Sequence, residues 1–308
     1  MRKTSSQHIY ELAKLDDRVV FIGSDLGAGA MTDYKKEMPN RFFMDGISEQ
    51  HIIGFAAGLA SEGFIPFVNT ICTFLTRRCY EQIVVNLCLD NLPVILMGNG
   101  GGLVYAPLGP THMAIEDTSI LRAIPNMTVI APCDPLETKK LMTKALEWGK
   151  PIYFKIGPSG IPTITSETIP VSISQPVIMK EPDEILIVST GYLTQSALKA
   201  AQTLEKIGIH VGLLHVHTLK PFNKKILLEL ARKVKAILTL EENVGAGGLG
   251  SLVLEILSDE NIYPLPRIKR MSLPDQFPDG YGDQEYLLQK YNLTVESVIQ
   301  EVKKILTY

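Results

Sequence analysis

Short apolar runs alternate with amphipathic stretches along most of the chain. Runs bounded by glycine, proline or polar residues predict buried strands at 19–23, 64–68, 92–98, 127–130, 152–154, 185–188, 211–214 and 236–240. Between them, apolar residues three or four positions apart predict helices, among them 52–60, 135–148, 196–207 and 295–306. Strands that alternate with helices are typical of parallel sheets covered on both faces. The pattern therefore predicts an α/β fold with two doubly wound sheet domains.

A stretch rich in proline, serine and threonine interrupts this alternation before residue 183. Such a composition is typical of a linker. We therefore predict a first domain at 1–165, a linker at 166–182 and a second domain at 183–308. The length of 308 residues agrees with two domains of roughly 100–200 residues each.

Charge and composition narrow the functional classes. Lysine and arginine number 30 against 33 acidic residues, and no basic cluster favours nucleic acid. No apolar run approaches the roughly 18 residues of a membrane span, and no apolar signal core follows Met1, so a cytoplasmic location is expected. The four cysteines form no CxxC pair, which favours buried thiols and no metal ligands on this chain.

Glu49 is the acid whose position most needs explanation. It lies where the short apolar run 41–44 gives way to the helix predicted at 52–60. The helix dipole there favours a carboxylate, whereas the apolar neighbours resist its ionisation, and this competition suits a proton donor. An ordinary acid in the first turn of a helix is the alternative.

Other candidates lie at the predicted carboxyl ends of strands, where parallel sheets bind ligands. Asp25 and Leu26 follow the first strand and form either a site wall or a plain turn. The glycine-rich segment 98–103 resembles a mobile loop, and its spacing fits neither GxGxxG nor a P-loop. His112 follows it, as either a site residue or a solvated surface group. Phe74, three residues before Arg77 on a predicted helix continuing to residue 82, is either a cofactor platform or core.

Five segments, taken together, resemble in order and spacing the second half of transketolase and of deoxyxylulose-phosphate synthase. They are Gly46-Ile47-Ser48-Glu49-Gln50, Cys72-Thr73-Phe74-Leu75-Thr76-Arg77, Gly109-Pro110-Thr111-His112, Arg122-Ala123-Ile124-Pro125-Asn126-Met127 and Leu273-Pro274-Asp275. The resemblance implies a pyrimidine-binding domain followed by the carboxyl-terminal domain of transketolases.

The resemblance also implies thiamine diphosphate as cofactor and assigns roles. Glu49 matches the glutamate that bonds N1′ of the aminopyrimidine and promotes loss of the thiazolium C2 proton. Phe74 matches the aromatic residue that stacks on the pyrimidine. Leu26, with Asp25 beside it, matches the apolar prop of the bent cofactor, and Ile47 is expected to line the same pocket.

On the substrate side, we expect contacts from His112, Arg77 and Leu108, of which His112 matches a family residue. His112 matches the histidine that bonds a substrate hydroxyl or developing oxyanion. Leu108 stands where transketolases carry an acid, and Gly157-Pro158 stands where sugar-phosphate enzymes carry an arginine. The missing arginine weakens the prediction of a phosphate site, although Arg77 and Lys155 remain as cations.

The Gly-Asp-Gly metal segment of the family, with its later asparagine, has no counterpart in this sequence. The resemblance therefore implies a larger, pyrophosphate-binding partner subunit that holds Mg²⁺ or Ca²⁺, and an α2β2 heterotetramer acting on sugar-like substrates. The alternatives are the β subunit of a 2-oxo acid dehydrogenase or acyloin-type decarboxylating enzyme, and a non-catalytic subunit that kept the fold.

Overall fold

The computed structural model describes residues 1–24, 31–280 and 282–307. Its strands are β1 (Val19–Gly23), β2 (Phe42–Met44), β3 (Ile65–Ile71), β4 (Ile95–Asn99), β5 (Thr128–Ile130), β6 (Ile152–Ile156), β7 (Val177–Lys180), β8 (Ile185–Ser189), β9 (Val211–His215), β10 (Thr218–Lys220), β11 (Ala236–Val244) and β12 (Arg267–Leu273). Its α-helices are α1 (Arg2–Leu15), α2 (Thr32–Glu37), α3 (Glu49–Ser61), α4 (Cys72–Thr76), α5 (Tyr80–Gln82), α6 (Asp117–Arg122), α7 (Pro135–Ala145), α8 (Thr194–Glu205), α9 (Lys224–Ala231), α10 (Leu249–Asp259), α11 (Gln284–Lys290) and α12 (Val295–Leu306).

The strands form two sheets. The seven-stranded sheet has the order β10-β5-β6-β4-β3-β1-β2, and the five-stranded sheet has the order β12-β11-β8-β9-β7. All pairs are parallel except β10 with β5 and β7 with β9. The α/β fold class is thus confirmed. Each sheet carries one antiparallel edge strand, which the hydrophobic pattern did not reveal.

These two edge strands blur the predicted domain bounds. Strand β7 lies inside the predicted linker and joins the second sheet, while β10 belongs to the predicted second domain and completes the first sheet. The predicted boundaries at 165/166 and 182/183 therefore remain predictions. Each half of the chain contributes to the packing of the other. One hydrophobic cluster, for example, contains both Val68 and Leu214.

Alternation along β1 shows how the first sheet is covered. Val19 and Phe21 belong to the buried cluster that includes residues of α1 and α7, whereas Val20 and Ile22 belong to the cluster that includes residues of α3. All five residues of the strand are buried, as expected when helices cover both faces of a parallel sheet. The carboxyl ends of the strands remain as the natural place for a site.

The helix predicted through residue 82 is interrupted. Helix α4 ends at Thr76, residues 77–79 form a turn, and a π-helical segment at Ile83–Cys88 follows α5. The Thr76 hydroxyl donates to the Cys72 carbonyl at 2.8 Å, a back-bond that often bends helices. As a result, Arg77 and Arg78 lie in a turn.

The glycine-rich segment after β4 does not have the expected character of a mobile loop. Residues 98–103 are buried, and the amides of Gly100 and Gly101 both donate to the Ile156 carbonyl, at 3.1 and 2.9 Å. A Cβ on Gly100 would lie 2.1 Å from the Tyr105 ring, and φ there is +78°. Glycine at this position therefore permits close packing and a left-handed backbone.

Buried polar contacts join the two halves of the chain. Glu137 on α7 and His215 on β9 are fully buried, and their Oε2 and Nε2 atoms lie 2.8 Å apart. Burial alone would raise the pKa of Glu137, but the nearby His215 outweighs it and lowers the pKa to about 2. The four cysteines are free and buried, as expected. None of the described helices is both long and apolar enough to cross a bilayer.

Candidate active site

The candidate site lies at the carboxyl ends of β1 and β3. Strand β1 is flanked by β2 on one side and β3 on the other, so the chain order reverses at this point of the sheet. Such reversals leave a crevice in which α/β proteins bind ligands. Ser24 follows β1, Thr70 is near the end of β3, and their hydroxyl oxygens lie 2.7 Å apart beneath the crevice.

Glu49 is the first residue of α3, and its side chain is only 2% exposed. Its Oε1 accepts a long hydrogen bond of 3.5 Å from Ser24, and its Oε2 accepts one of 2.5 Å from Arg78 Nη1. A buried carboxylate requires such partners because desolvation disfavours its charge. Glu49 is therefore not an ordinary solvated acid of a first helical turn.

Phe74 lies in α4, and its ring is half-buried rather than part of the core. The guanidinium of Arg78 lies over this ring, with the central carbon 4.5 Å from the centroid. One planar cation thus contacts both Glu49 and Phe74. Sequence reasoning missed Arg78, although its spacing of four residues from Phe74 places the two side chains near each other on a helical turn.

His112 lies in a turn whose backbone requires glycine. Gly109 has φ 81° and ψ −177°, a region that only glycine adopts readily. The His112 amide donates to the Gly109 carbonyl at 3.0 Å, and its Nδ1 lies 2.9 Å from the Thr111 hydroxyl. The imidazole meets Phe74 edge to face at 5.1 Å. The structure therefore brings His112, Phe74 and Glu49 into one neighbourhood.

Arg77 fastens this turn. Its guanidinium donates to the carbonyls of Pro110 and Met113 at 3.2 and 3.0 Å, and it pairs with Glu116 through two hydrogen bonds, one of 2.8 Å. The substrate contact expected of Arg77 remains a prediction. Its visible contacts instead hold the segment that carries His112.

Lys155, the other cation considered from the sequence, is also engaged. Its Nζ donates to Asp117 Oδ1 at 2.7 Å, and Asp117 also accepts from the Tyr153 hydroxyl at 2.6 Å. Burial would lower the pKa of Lys155, but the Asp117 carboxylate outweighs it and the pKa is raised. Lys155 is therefore a buried structural cation.

The remaining predicted site residues differ in placement. Ile47 is 74% exposed and Leu108 is 55% exposed, so neither lies in an enclosed pocket of this chain. They are free to line a pocket that another surface completes. Asp25 and Leu26 lie outside the described residues.

The residues at this site fit the ring of an aminopyrimidine. Arg78 already demonstrates that a flat, hydrogen-donating group can rest on Phe74 while it donates to Glu49. Cys79, next to Arg78, is no competing nucleophile, because burial and, to a lesser extent, the charge of Glu49 raise its pKa to about 12. The site combines an aromatic platform, a buried carboxylate and an imidazole.

Possible metal ligands lie away from the candidate site. Within the described residues, the cluster with metal-ligating atoms close enough together is Cys133, Glu137 and His215, whose candidate atoms lie within 4.8 Å of one another. These side chains lie in the buried junction between the domains. No such cluster among the described residues includes Glu49 or His112.

Comparison with known proteins agrees with this geometry. A family model of the transketolase pyrimidine binding domain matches residues 1–157, and one of the transketolase C-terminal domain matches residues 175–298. The chain is 39% identical over 271 residues to 1-deoxy-D-xylulose-5-phosphate synthase 1 of Geobacter sulfurreducens, covering 87% of this chain and 42% of that protein. It spans less than half the length of the synthases it matches.

Two further relatives have nearly the same length as this chain. The 6-deoxy-6-sulfo-D-fructose transketolase subunit SqwH of Clostridium sp. is 32% identical, with 99% of this chain and 94% of that protein covered. A solved structure described as a split gene transketolase, inactive beta4 tetramer, is 36% identical, covers 99% and 98% of the two chains and has a TM-score of 0.90. The family implies thiamine diphosphate as cofactor. The chain belongs to the transketolase family.

Proposed function

We propose that this chain is the small subunit of a split, thiamine diphosphate-dependent transketolase, which transfers a two-carbon ketol unit between sugar-like ketose and aldose substrates. The observation that carries the proposal is the buried Glu49 carboxylate beside the half-buried ring of Phe74 at the switch point of the sheet. The near-equal length of two transketolase-type subunits supports it.

Each residue of this chain has a defined task in the proposal. Phe74 provides the surface on which the aminopyrimidine stacks, and Glu49 shares a proton with its ring nitrogen. His112 donates a hydrogen bond to a substrate oxygen as charge develops there. The bound cofactor supplies the carbanion chemistry that amino acid side chains lack. Ile47 and, outside the described residues, Asp25 and Leu26 are proposed to complete the cofactor pocket.

The proposal includes a larger partner subunit. The ligands for the diphosphate and for Mg²⁺ or Ca²⁺ are expected on that subunit, because the sequence has no Gly-Asp-Gly segment with its asparagine. We propose an α2β2 assembly, in which two copies of each chain share two active sites. The exposed Ile47 and Leu108 are available for contact with a second surface.

Titration calorimetry with thiamine diphosphate and Mg²⁺ tests the proposal. The partner is first identified by copurification and mass spectrometry. The two-subunit complex is expected to bind the cofactor and to transfer ketol units, whereas the isolated chain does neither. Micromolar, magnesium-dependent binding by this chain alone would argue against a shared site.

Synthesis of a 1-deoxyketose is a second candidate, because several relatives at 33–39% identity are deoxyxylulose-phosphate synthases. A 1-deoxyketose has a methyl group at carbon 1, so its two-carbon donor is an acyl unit, such as pyruvate releases with CO₂. Incubation of the complex with an aldose and either a ketose or pyruvate distinguishes the two candidates. Release of CO₂ and formation of a deoxyketose would favour the second.

A further inference from the structure

We propose that Arg78 is a displaceable plug, whose guanidinium occupies the place between Glu49 and Phe74 that the aminopyrimidine must take. This inference rests on the proposed function. The inference goes beyond that function because it assigns to Arg78, a residue without a predicted role, a contact that blocks the cofactor site.

The competition follows from two contacts. Arg78 Nη1 donates to Glu49 Oε2 at 2.5 Å, and the guanidinium carbon lies 4.5 Å from the centroid of Phe74. An aminopyrimidine that stacks on Phe74 and shares a proton with Glu49 needs the same ring surface and the same carboxylate. Both groups are flat, and a guanidinium whose central carbon lies 4.5 Å from the centroid covers the ring face on which the pyrimidine would stack. Arg78 and the pyrimidine therefore exclude each other.

The backbone allows the side chain to leave without unfolding. Arg78 lies in the turn between α4 and α5, and Gln50 Nε2 donates to its carbonyl at 2.9 Å, which holds the main chain in place. The side chain itself is 42% exposed, so rotation about its own bonds takes the guanidinium into solvent. Arginine keeps its charge at any ordinary pH, and water solvates it well outside the site.

The contact also explains how a buried acid is tolerated before the cofactor binds. Glu49 is 2% exposed, and a carboxylate so buried is strongly disfavoured without a cation or proton. Arg78 supplies the cation, and the proposed cofactor replaces it with a proton-sharing ring nitrogen. Glu49 therefore has a partner both with and without the cofactor. Because the cofactor must first displace Arg78, it binds more weakly than it would to an open site.

Calorimetric titration of the two-subunit complex with thiamine diphosphate tests the plug. In the Arg78→Ala complex the dissociation constant is expected to fall about 10–100-fold, the range for releasing a hydrogen bond to a charged group. Arg78→Lys has a smaller and non-planar head group, and its dissociation constant is expected to lie between those of the native and Arg78→Ala complexes. Arg232→Ala, at the exposed end of α9, is the matched control and leaves affinity unchanged. Unchanged or weaker binding by Arg78→Ala would overturn the proposal.

A second measurement needs only the isolated chain. Arg78→Ala is expected to lower the folding equilibrium constant about 10–100-fold in the native background and less than about threefold in a Glu49→Leu background, in which no acceptor remains for the guanidinium. Equal effects in both backgrounds would overturn the contact itself. If the native complex failed to bind the cofactor, the proposed function and the competition would both fail, while this coupling would still report on the Arg78–Glu49 contact.

Discussion

The imidazole of His112 and the ring of Phe74 meet edge to face, with centroids 5.1 Å apart and planes inclined by 66°. They come from the connections that follow two neighbouring strands, β3 and β4, of the first sheet. A residue proposed to face the substrate thus contacts one proposed to carry the cofactor. Changes at Phe74 should therefore affect both cofactor affinity and the orientation of His112.

Phe74→Leu should weaken cofactor binding by the complex. Loss of an aromatic stacking contact is worth about 0.5–1.5 kcal/mol, which corresponds to roughly 2–13-fold in the dissociation constant. Calorimetric titration of the complex with thiamine diphosphate measures this change in the dissociation constant. Phe222→Leu, a half-buried phenylalanine that packs on the core from outside the candidate site, is the matched control. Equal effects of the two substitutions on affinity would mean that Phe74 has no special role.

Glu49→Gln should slow turnover about 10²–10⁴-fold, the range for removing a general acid–base group. The glutamine keeps the shape of Glu49 and accepts the Arg78 hydrogen bond through its carbonyl oxygen, so assembly should change little. The direct measurement is deuterium exchange at C2 of the bound cofactor. Glu62→Gln, an exposed acid at the other end of α3, is the control. Exchange at the native rate in Glu49→Gln would rule out the assigned role.

Arg77→Ala should reduce catalytic efficiency mainly through His112. Arg77 holds the carbonyls on either side of Thr111-His112, and a shift of about 1 Å in a catalytic group can reduce rates roughly 100-fold. We expect a loss of about 10–100-fold in kcat/KM with little change in cofactor affinity. The double variant Arg77→Ala/His112→Ala should be no worse than His112→Ala alone. Additive losses would indicate that Arg77 contacts the substrate directly.

The sequence predicted the class of the fold because buried parallel strands are almost entirely apolar, as in β1 and β4. It did not predict β10, since its three residues, Thr218–Lys220, are too few to show a period. Proline and serine around Val177–Lys180 favour an irregular linker, yet that segment pairs with β9. Pairing between distant segments is decided by packing, which local patterns do not record.

Site prediction had a similar limit. Short motifs predicted Glu49, Phe74 and His112 as site residues. The structure places their side chains in one neighbourhood, and the roles assigned to them stay predictions. Arg78 was not found because its contact with Glu49, 29 residues away in sequence, depends on tertiary packing, which its spacing from Phe74 does not record. The expectation of mobility at 98–103 failed because glycine marks close approach as well as freedom, and only the neighbours, here Tyr105 and Glu242, tell the two apart.

Glu242 should make the stability of the isolated chain depend on pH. Burial raises its pKa from 4.5 to about 7, so the folded state binds this proton more tightly than the unfolded state. Between about pH 4.5 and 7 this group therefore lowers stability as pH rises, and above pH 7 its destabilising effect is complete and constant. A shift of this size corresponds to about 3 kcal/mol.

Glu242→Gln isolates this effect. Oε1 of Glu242 accepts from both the Leu103 amide and Gln284 Nε2, at 2.8 and 2.7 Å, and a glutamine carbonyl can keep both bonds. Denaturant unfolding should show similar stability of variant and native chain near pH 4.5 and a more stable variant at pH 8. Glu229→Gln, exposed on α9, should show no such trend. A variant equally destabilised at every pH would contradict this assignment.

The expected substrate preference depends on whether Arg77 and Lys155 are free to bind a phosphate group. Arginine clamps a phosphate with its planar fork, but the Arg77 guanidinium already contacts Glu116 and two carbonyls. Lys155 is buried and paired with Asp117. Pro158, where the resemblance to sugar-phosphate enzymes implies an arginine, offers only its carbonyl, which accepts from the amino terminus at 2.7 Å. Arg77 and Lys155 therefore contribute little to phosphate binding.

We accordingly expect a poor match to the ordinary pentose phosphates. Lack of a charged hydrogen bond to phosphate weakens binding by about 10–100-fold, and the exposed Leu108 gives an apolar wall where the resemblance implies an acid. A deoxy or non-phosphorylated sugar, or one carried on a larger group, should be preferred. Steady-state kinetics of the complex measure this preference, and Leu108→Asp should shift it towards more hydroxylated substrates. A kcat/KM of about 10⁴ M⁻¹s⁻¹ or more with xylulose 5-phosphate and ribose 5-phosphate would refute it, because ordinary enzymes reach that efficiency on their own substrates.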